Sequence, residues 1–410
     1  MHFHILGIGS IGSLVAHHLR RVLPIGHSIG LIHKTNQDRE RLLQKGSLSL
    51  ERAGATDESR GFHHEVYHED SISPTPPPGS PPPLPTPPSE TVVKDASKIP
   101  IDSLLVTLKA HQTVHAIKVL GPRISSNSTI VLLQNGMGVY EKLLKEVFLN
   151  PSQRPHFILA SNTHGAYATG FHKVVHAGVG AIDLGIAPDS QGRDFEAGMY
   201  DNEIDPRNRQ LRLSDLSPSG DQHASRYRSL RATIAALLLL EPLNTSWKPF
   251  YDVQVNIRRK LAVNAVINPL TALLDCRNGD IHDHQPARAL MKQICDEASA
   301  VYEAQMTAET QTWLAELKAQ GIKTMGVPLP PFPEALTSQS LQDEVLRVAA
   351  ITRRNISSTL QDVRKGRHTE IMYINGYLRE LGIEYDVPTP VNTTLADLIH
   401  MKYLLPLNIL

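Results

Sequence analysis

Three polar residues, Lys260, Asn264 and Asn268, recur at every fourth position of a stretch whose other residues are nearly all apolar. Residues four apart share one face of an α-helix, so these side chains should form a single polar stripe on a buried helix. Buried asparagines need hydrogen-bond partners, and a buried ammonium group is costly unless it is compensated. Such a stripe usually lines a cleft that holds a polar ligand, and a structural network between helices is the alternative interpretation.

Pro269 lies inside this predicted helix, directly after the stripe residue Asn268. A proline cannot donate a hydrogen bond to the carbonyl four residues earlier, here that of Ala265, and it disfavours helical dihedrals at the residue before it. We therefore expect a kink or local opening beside Asn268 that leaves backbone groups available near the ligand.

A second motif, Gly7-Ile8-Gly9-Ser10-Ile11-Gly12, follows an apolar strand and opens a predicted helix. In this pattern the first glycine permits a tight turn, and the second lets the backbone approach a pyrophosphate. The third allows close packing of helix and strand, while the first turn of the helix offers free N–H groups. The context predicts dinucleotide binding by these six residues, and a merely tight turn is the alternative.

The residues after the second strand indicate which dinucleotide is bound. An NAD site places a carboxylate there to accept from the ribose 2′-hydroxyl. Here the segment reads Leu31-Ile32-His33-Lys34-Thr35-Asn36, with no acidic residue until Asp38. Lys34 would attract a 2′-phosphate, so the sequence favours NADP; an ordinary surface lysine at a strand end is the alternative.

The elements that must position these residues alternate in the first half of the chain and are helical in the second. Strand-like runs at 2–7, 28–33, 102–108, 128–133, 156–161 and 171–186 enclose helical patterns at 11–22, 37–45, 111–119 and 137–148. This order implies an α/β domain with a parallel sheet covered on both faces. Helical patterns then follow at 226–240, 248–275, 286–319, 340–363, 367–381 and 390–403. We predict an α/β domain over 1–225 and an all-helical domain over 226–410.

Two polar segments, about 52–98 and 188–225, interrupt the first domain and are predicted to be disordered insertions. Ten of the fifteen residues from Pro74 to Pro88 are proline, and a proline run lacks the backbone donors that a folded core needs. We interpret this run as a passive loop, with a PxxP-type ligand for a partner protein as the alternative.

Composition excludes several classes of partner. Lys+Arg and Asp+Glu both number 41, so the net charge is zero, which argues against nucleic acid or an anionic membrane as the main partner. The 20 histidines show no zinc-site spacing, so we expect no metal, and the two cysteines, Cys276 and Cys295, fit a reducing compartment. The chain enters a strand almost at once, so we expect a cytoplasmic location, with a mitochondrial one left open.

Six blocks of residues, in order along the chain, resemble the ketopantoate reductase (2-dehydropantoate 2-reductase) family. They are Gly7–Gly12, Val106-Thr107-Leu108-Lys109-Ala110, Gln134-Asn135-Gly136-Met137-Gly138, the stripe Lys260…Asn264…Asn268 with Pro269-Leu270-Thr271-Ala272, Ser357-Ser358-Thr359-Leu360-Gln361-Asp362, and Thr369-Glu370-Ile371-Met372-Tyr373-Ile374-Asn375-Gly376. One block alone could arise by chance, whereas six in the family's order are specific.

The resemblance implies a Rossmann-type N-terminal domain, an all-helical C-terminal domain and an active site in the cleft between them. It implies that NADPH reduces 2-dehydropantoate, a small 2-oxo acid, to pantoate in pantothenate and coenzyme A biosynthesis. Lys260 matches the proton donor, and Lys34 matches the base that binds the 2′-phosphate. The substrate positions match Asn135, Asn264, Asn268, Asn278 and Ser358, and further cofactor positions match Lys109, Asn135, Ala166 and Glu370.

Two features depart from the family pattern. Met372 stands where the family has an acid, and the two long insertions suggest a eukaryotic branch. Two alternatives therefore stay open: a reductase of another small 2-oxo acid, and a catalytically retired NADP-binding regulatory paralogue. A homodimer is also left open.

Overall fold

The structure is a computed structural model that describes residues 1–24, 26–67, 99–201, 203–218, 220–281, 283–324 and 329–405. The chain divides into two compact units. The first unit contains residues 1–134 and 143–249, and the second contains 135–142 and 250–410.

The first unit is built on two sheets. Its described strands are β1 (His2–Leu6), β2 (Ser28–His33), β3 (Leu48–Arg52), β4 (Ala55–Ser59), β5 (His63–Val66), β6 (Ser103–Val106), β7 (Thr129–Leu132), β8 (His156–Asn162), β9 (Gly165–Gly170), β10 (Lys173–Gly178), β11 (Ile182–Ile186) and β12 (Thr245–Trp247). The larger sheet has the order β12-β11-β8-β7-β6-β1-β2-β5, and the smaller has the order β4-β3-β10-β9.

Six neighbouring strands of the larger sheet, β5-β2-β1-β6-β7-β8, are parallel. Numbered along the chain, these six follow the order 3-2-1-4-5-6, which is that of a Rossmann fold. The central strands β6 and β7 are buried at every residue, as expected when both faces of a parallel sheet are covered. The predicted α/β Rossmann-type fold of the first half is confirmed.

Helices pack on these sheets. They are α1 (Ser10–Val22), α2 (Asn36–Lys45), α3 (Ala110–Leu120), α4 (Val139–Glu146), α5 (Ala197–Tyr200), α6 (Leu213–Leu216) and α7 (Ala224–Leu238). The first turn of α4 belongs to the second unit. Helix α2 has local end signals, since the Thr35 hydroxyl caps its first turn and Gly46, at φ 72°, ends it.

The second unit consists of helices in its described residues, in agreement with the prediction. These are α8 (Phe250–Leu274), α9 (Gln285–Ala319), α10 (Ser338–Ile351), α11 (Ser358–Arg364), α12 (Asn375–Glu384) and α13 (Pro390–Leu404). Helix α8 is the central element, because it contacts α9, α10, α11 and α13.

Two predicted helices of this unit are divided in the structure. The predicted helix 340–363 ends at Ile351 and restarts at Ser358, where the Ser357 hydroxyl accepts from Leu360 N at 3.1 Å and caps the new helix. The predicted helix 367–381 is a short 3₁₀ turn, Ile371–Tyr373, followed by α12 from Asn375.

The boundary between the units lies at 249/250, whereas we expected it at 225/226. The difference is helix α7, which packs against β6, β7 and β12 of the sheet. Two buried hydroxyl contacts fix it there, Thr129 to Ser229 at 2.8 Å and Thr233 to Ser103 at 2.9 Å. A helical pattern alone does not show which core the helix joins.

The expectation of a disordered insertion over 52–98 is wrong for residues 52–67. Strand β4 pairs with β3, and β5 extends the large sheet beside β2. In β5 the buried Glu65 forms an ion pair with Arg123 at 2.8 Å and lies 3.3 Å from His4. The proline run Pro74–Pro88 lies outside the described residues.

The second predicted insertion, 188–225, is also ordered where the structure describes it. Phe195 and Leu216 join the core of the first unit. Arg193 pairs with Asp221 at 2.7 Å, and Tyr227 donates to Asp189 at 2.7 Å. The prediction failed because a few apolar anchors and paired charges are enough to pack a polar segment.

Within the described ranges, no helix is long and apolar enough to cross a membrane. The same ranges contain no group of three or more His, Cys, Asp or Glu side chains that could hold a metal ion. Cys276 and Cys295 are both free thiols.

Candidate functional site

The glycine loop connects β1 to α1 and is shaped by backbone contacts. Gly7 has φ 100°, and a Cβ there would lie 2.7 Å from the backbone nitrogen of Leu108. A Cβ at Gly12 would lie 2.0 Å from the carbonyl oxygen of Gly7. Both positions therefore require glycine within the protein itself, as the motif predicted.

Gly9 differs from the other two glycines, because a Cβ there would meet nothing within 4 Å. Gly9 is also the N-cap of α1, where no side chain makes a capping hydrogen bond and no acidic residue occupies the first turn. The open space and the uncapped N–H groups fit the pyrophosphate of a dinucleotide.

A pocket of about 400 Å³ adjoins this loop at the carboxyl ends of the parallel strands. Of the predicted cofactor residues, Gly7, Ile8, Gly9, Lys34 and Lys109 line this pocket. Ser10, Ile11 and Gly12 of α1 and Ala166 of β9, which packs against the core, do not line it, whereas Ser13 of α1 does.

Several pocket residues were missed by the sequence reasoning. Thr107 follows β6, its N–H donates to the Leu6 carbonyl at 2.9 Å, and its hydroxyl donates to the carbonyl of Gly7. A threonine directly after a buried strand was the available signal. His33, Tyr67, Phe171 and His172 also line the pocket, and no local pattern connects these distant residues.

The second group of site residues lies in the helical unit. Lys260 Nζ donates to Asn135 Oδ1 at 2.9 Å. Asn135 begins the short segment 135–142 that belongs to this unit. The segment is fixed by a bond from Met137 N to the Tyr373 carbonyl at 2.9 Å and by Gly136, at φ 86°, where a Cβ would lie 2.7 Å from that carbonyl oxygen. The structure thus unites the predicted proton donor with one predicted substrate residue.

Burial lowers the pKa of the Lys260 ammonium group from 10.5 to about 8, and the nearby carboxylate of Glu370 opposes this shift. Glu370 is itself buried. Lys260 is therefore protonated at neutral pH but holds its proton less tightly than an exposed lysine. That is the state required of a general acid near neutral pH.

The remaining stripe residues follow Lys260 along α8. Asn264 is partly buried, and Asn268 is buried. Ser358, the first residue of α11, is exposed, because the neighbouring Ser357 makes the capping contact.

Asn278 is buried just beyond the end of α8. Its Nδ2 donates to the Thr352 hydroxyl at 3.0 Å, and its Oδ1 has no hydrogen-bond partner within the part of the chain that the structure describes. A buried carbonyl oxygen without a partner is rare in proteins and is typical of a position that a ligand or water completes.

The expectation that Pro269 leaves backbone groups available near the ligand is wrong. Helix α8 continues through Pro269 to Leu274. The freed carbonyl of Ala265 accepts from Asn375 Nδ2 at 2.9 Å, and Asn375 Nδ2 also lies 2.9 Å from Asn392 Oδ1. The hydrogen bond that Pro269 cannot make is thus replaced by one from the buried side chain of Asn375, which also contacts the buried Asn392.

Met372, which replaces the family's acid, packs beside a small apolar cluster that includes Ile371 and Ile399. Its methyl group lies 3.4 Å from where a Cβ on Gly376 would stand. The substitution therefore places an apolar contact where an acid was expected.

The two units together define a class of enzyme. A backbone-lined pocket at the carboxyl ends of a Rossmann-order sheet is how nicotinamide dinucleotides are held. The helical unit adds a lysine whose pKa suits proton transfer near neutral pH. This combination is that of a nicotinamide-dinucleotide-dependent oxidoreductase.

Two family models match most of the chain. The model described as Ketopantoate reductase PanE/ApbA matches residues 3–189, and the model of its C terminal matches residues 252–403. This chain belongs to the ketopantoate reductase family, which confirms the resemblance inferred from the six sequence blocks.

Curated relatives agree with this assignment. The 2-dehydropantoate 2-reductase of Shigella flexneri is 31% identical over 301 residues, which cover 73% of this chain and 74% of the relative. The enzyme of the same name from Saccharomyces cerevisiae is 27% identical over 315 residues, 75% of each chain. A probable 2-dehydropantoate 2-reductase of Schizosaccharomyces pombe is 27% identical over 397 residues, 96% of this chain and 93% of the relative.

Solved structures show the same fold. A PanE/ApbA family ketopantoate reductase from Ralstonia eutropha has a TM-score of 0.63 at 19% identity, covering 98% of both chains. A structure of D-mandelate dehydrogenase with NADH and anilino(oxo)acetate has a TM-score of 0.64 at 18% identity, also covering 98% of both chains.

Proposed function

We propose that this chain reduces 2-dehydropantoate to pantoate with NADPH, the reductive step of pantothenate synthesis. The observation that carries the proposal is the hydrogen bond from Lys260, at the start of the apolar part of α8, to Asn135 in the segment 135–142, together with the lowered pKa of this lysine. Membership of the ketopantoate reductase family and the names of the curated relatives support the choice of substrate.

The chemistry divides between the cofactor and the protein. NADPH, when bound, supplies the hydride that adds to the ketone carbon. Negative charge then develops on the ketone oxygen, and Lys260 Nζ donates a hydrogen bond and then its proton to that oxygen. The hydrogen bond to Asn135 Oδ1 holds the ammonium group in one orientation, so little reordering is needed when the substrate arrives.

Neutral polar side chains bind the rest of the substrate in this proposal. Asn264, Asn268 and Ser358 donate to its carboxylate and hydroxyl groups without adding further charge. Asn278 accepts from the substrate hydroxyl through Oδ1, which has no hydrogen-bond partner among the described residues. An ionised side chain at these positions would interact with the charge of the substrate in competition with Lys260. Neutral side chains therefore suit these positions.

We infer a preference for NADPH over NADH from the end of β2. Lys34 is exposed and lines the dinucleotide pocket. The first acid beyond the strand, Asp38, also lines the pocket, but its carboxylate accepts from the Thr35 hydroxyl at 2.9 Å. The base is thus free to attract a 2′-phosphate, while the acid is held by a local capping interaction.

The main experiment follows the absorbance of NADPH in the presence of a panel of small 2-oxo acids that includes ketopantoate. We expect the highest kcat/KM with ketopantoate. A higher value with another 2-oxo acid would support the alternative reductase, for which the apolar Met372 is the motivating observation. Absence of turnover with every acid, while NADPH still binds, would support a retired regulatory paralogue.

The cofactor preference has its own test. Lys34→Asp should abolish or reverse the preference for NADPH, because it replaces the attracting charge by a carboxylate that can accept from a ribose hydroxyl. The ratio of kcat/KM for NADPH and NADH measures this effect. Equal ratios in the parent protein and the variant would contradict the role of Lys34.

We also propose that the enzyme forms a homodimer. A ketopantoate reductase from Staphylococcus aureus with the same fold is described as dimeric, at 15% identity and a TM-score of 0.58. Light scattering of the purified protein tests this, and a monomeric mass at micromolar concentration would contradict it. A cytoplasmic location stays a prediction.

A further inference from the structure

Three histidines lie at the end of the dinucleotide pocket that is lined by Lys34, and we name His33, His64 and His172 the histidine cluster. His33 Nε2 lies 3.1 Å from His64 Nδ1, and the two rings are stacked with centroids 5.4 Å apart. The His172 ring stands perpendicular to that of His33 at 6.0 Å. His33 and His172 both line the pocket.

His172 connects β9 to β10 in a conformation that is unusual for its residue type. Its φ is 49°, in the left-handed region that favours glycine. The turn is fixed in place, because the His172 carbonyl accepts from Ser49 N at 3.0 Å and from Lys45 Nζ at 2.9 Å. Arg41 lies over the neighbouring Phe171 ring at 4.2 Å. Backbone strain of this kind persists where the surroundings impose it and is common in ligand sites.

The ring of His172 is also unsatisfied. Both of its nitrogens are shielded from water, and neither has a hydrogen-bond partner among the described residues, so the ring must turn about its Cβ–Cγ bond to present a nitrogen to a ligand in the pocket. A buried donor or acceptor without a partner is costly, so its presence in a pocket wall calls for a missing partner. The missing partner must bring at least one strong acceptor, since an imidazole always carries an N–H group.

The surroundings of the cluster favour an anion. The ionisable groups that face it or line the same end of the pocket are Lys34, Asp38, Arg39, Arg41, Lys45, His63 and Tyr67. Four of these are permanent cations, and Asp38 is the one carboxylate among them. Burial, and then the charge of Lys45, lower the pKa of His172 to about 4, so the ring is neutral at neutral pH before a ligand binds.

We propose that His172 is a specificity-determining residue that donates a hydrogen bond to the 2′-phosphate of the adenosine ribose, beside Lys34, and takes up one proton from solvent when that phosphate binds. This inference rests on the proposed preference for NADPH. A bound phosphate carries close to two negative charges, and an adjacent anion favours the protonated form of a histidine. The added proton therefore converts an unsatisfied neutral ring into an ionic partner of the ligand.

Nucleotide fragments test this inference without the nicotinamide or any turnover. Titration calorimetry measures binding of 2′,5′-ADP and of 5′-AMP, which lacks the 2′-phosphate, between about pH 6 and about pH 8, the range in which histidines usually titrate. Two buffers with different heats of ionisation report how many protons are taken up. The variant is His172→Asn, because asparagine tolerates a positive φ. The control is His223→Asn, an exposed histidine that precedes α7 and does not line the pocket.

In the parent protein, 2′,5′-ADP should bind with uptake of a proton and more tightly as the pH falls. His172→Asn should weaken 2′,5′-ADP binding at low pH by about tenfold, the value of one hydrogen bond to a charged group. It should also remove the proton uptake and leave 5′-AMP affinity within about twofold. His223→Asn should match the parent in every measurement.

Three results would overturn the role of His172. These are unchanged 2′,5′-ADP affinity and proton uptake in His172→Asn, an equal loss for both nucleotides, and no proton uptake in the parent. A thermal melt of each variant, and His172→Gly as a second variant without backbone strain, ensure that the comparison concerns folded protein. Equal affinity of the parent for the two nucleotides would instead remove the NADPH preference itself, and ketopantoate turnover is scored separately.

Discussion

The two units of this enzyme differ in whether backbone or side chains form the functional site. In the first unit the dinucleotide loop is made by backbone, with Gly7 and Gly12 allowing contacts that no side chain could replace. In the second unit the chemistry depends on the side chain of Lys260 in α8, which is held by a hydrogen bond to Asn135. A backbone site is damaged by adding atoms, whereas a side-chain site is damaged by removing them.

The largest expected effect is on the side-chain site. Lys260→Ala should lower kcat by about 10²–10⁴-fold, the usual cost of removing a general acid, while NADPH affinity measured by fluorescence stays near the parent value. The matched control is Lys292→Ala, an exposed lysine of α9 paired with Asp296, which should leave kcat unchanged. Near-normal turnover in Lys260→Ala, with a lowered Tm, would show that the lysine only completes a structural network.

A Cβ added to the glycine loop should have different effects on ligand binding and on stability, depending on the position that receives it. Gly9→Ala should weaken NADPH binding by roughly ten- to a hundredfold, because the new methyl group displaces the pyrophosphate from charge-assisted N–H bonds. Its Tm should match the parent, since a Cβ at Gly9 meets nothing within 4 Å.

Gly12→Ala should instead destabilise the protein itself by about 1–3 kcal/mol, the usual cost of overpacking, because its Cβ would lie 2.0 Å from the Gly7 carbonyl oxygen. Thermal melts of the two variants measure the contrast. Equal losses of Tm in both would contradict the distinction between a ligand-facing and a packing glycine.

The pH dependence of reduction tests the role of the Lys260 side chain as the proton donor. Only protonated Lys260 donates a proton, and its pKa is about 8, so kcat/KM should fall as pH rises through about 8. The loss should approach about tenfold per pH unit at higher pH. Glu370→Gln removes the charge that raises this pKa, so the inflection should move to lower pH. A profile that stays flat to well above pH 8 would contradict the assignment.

The smallest expected effect concerns the hydrogen bond from Asn375 that replaces the one Pro269 cannot make in α8. Asn375→Ala leaves the Ala265 carbonyl buried without its donor, which should lower the free energy of unfolding by about 1–3 kcal/mol. The parent and the variant are compared by urea denaturation. NADPH affinity should be unchanged, because this contact lies outside the dinucleotide pocket. An unchanged midpoint would show that the carbonyl finds another partner.

Local sequence signals predicted the helices and strands and most of the polar residues of the candidate site. The strand–glycine loop–helix order required Gly7 and Gly12, and a spacing of four residues predicted the stripe on α8. Segments with few such signals were misjudged. Residues 52–67 were expected to be disordered, although β4 forms a hairpin with β3 and β5 pairs with β2. The residues of β4 are mostly polar and exposed, and the pairing of β5 with an earlier strand leaves no local periodicity.

The sequence by itself therefore determined the fold class, the dinucleotide loop and the polar stripe that contains Lys260. Each of these depends on backbone geometry or on helical period over a few residues. Tertiary structure alone decided which distant groups complete these sites. Asn375 reaches Ala265 across 110 residues of chain, and His172 reaches the pocket wall beside His33 through the β9–β10 hairpin of the smaller sheet. Burial also set the pKa of Lys260, because desolvation depends on every element packed around the side chain rather than on its neighbours in sequence.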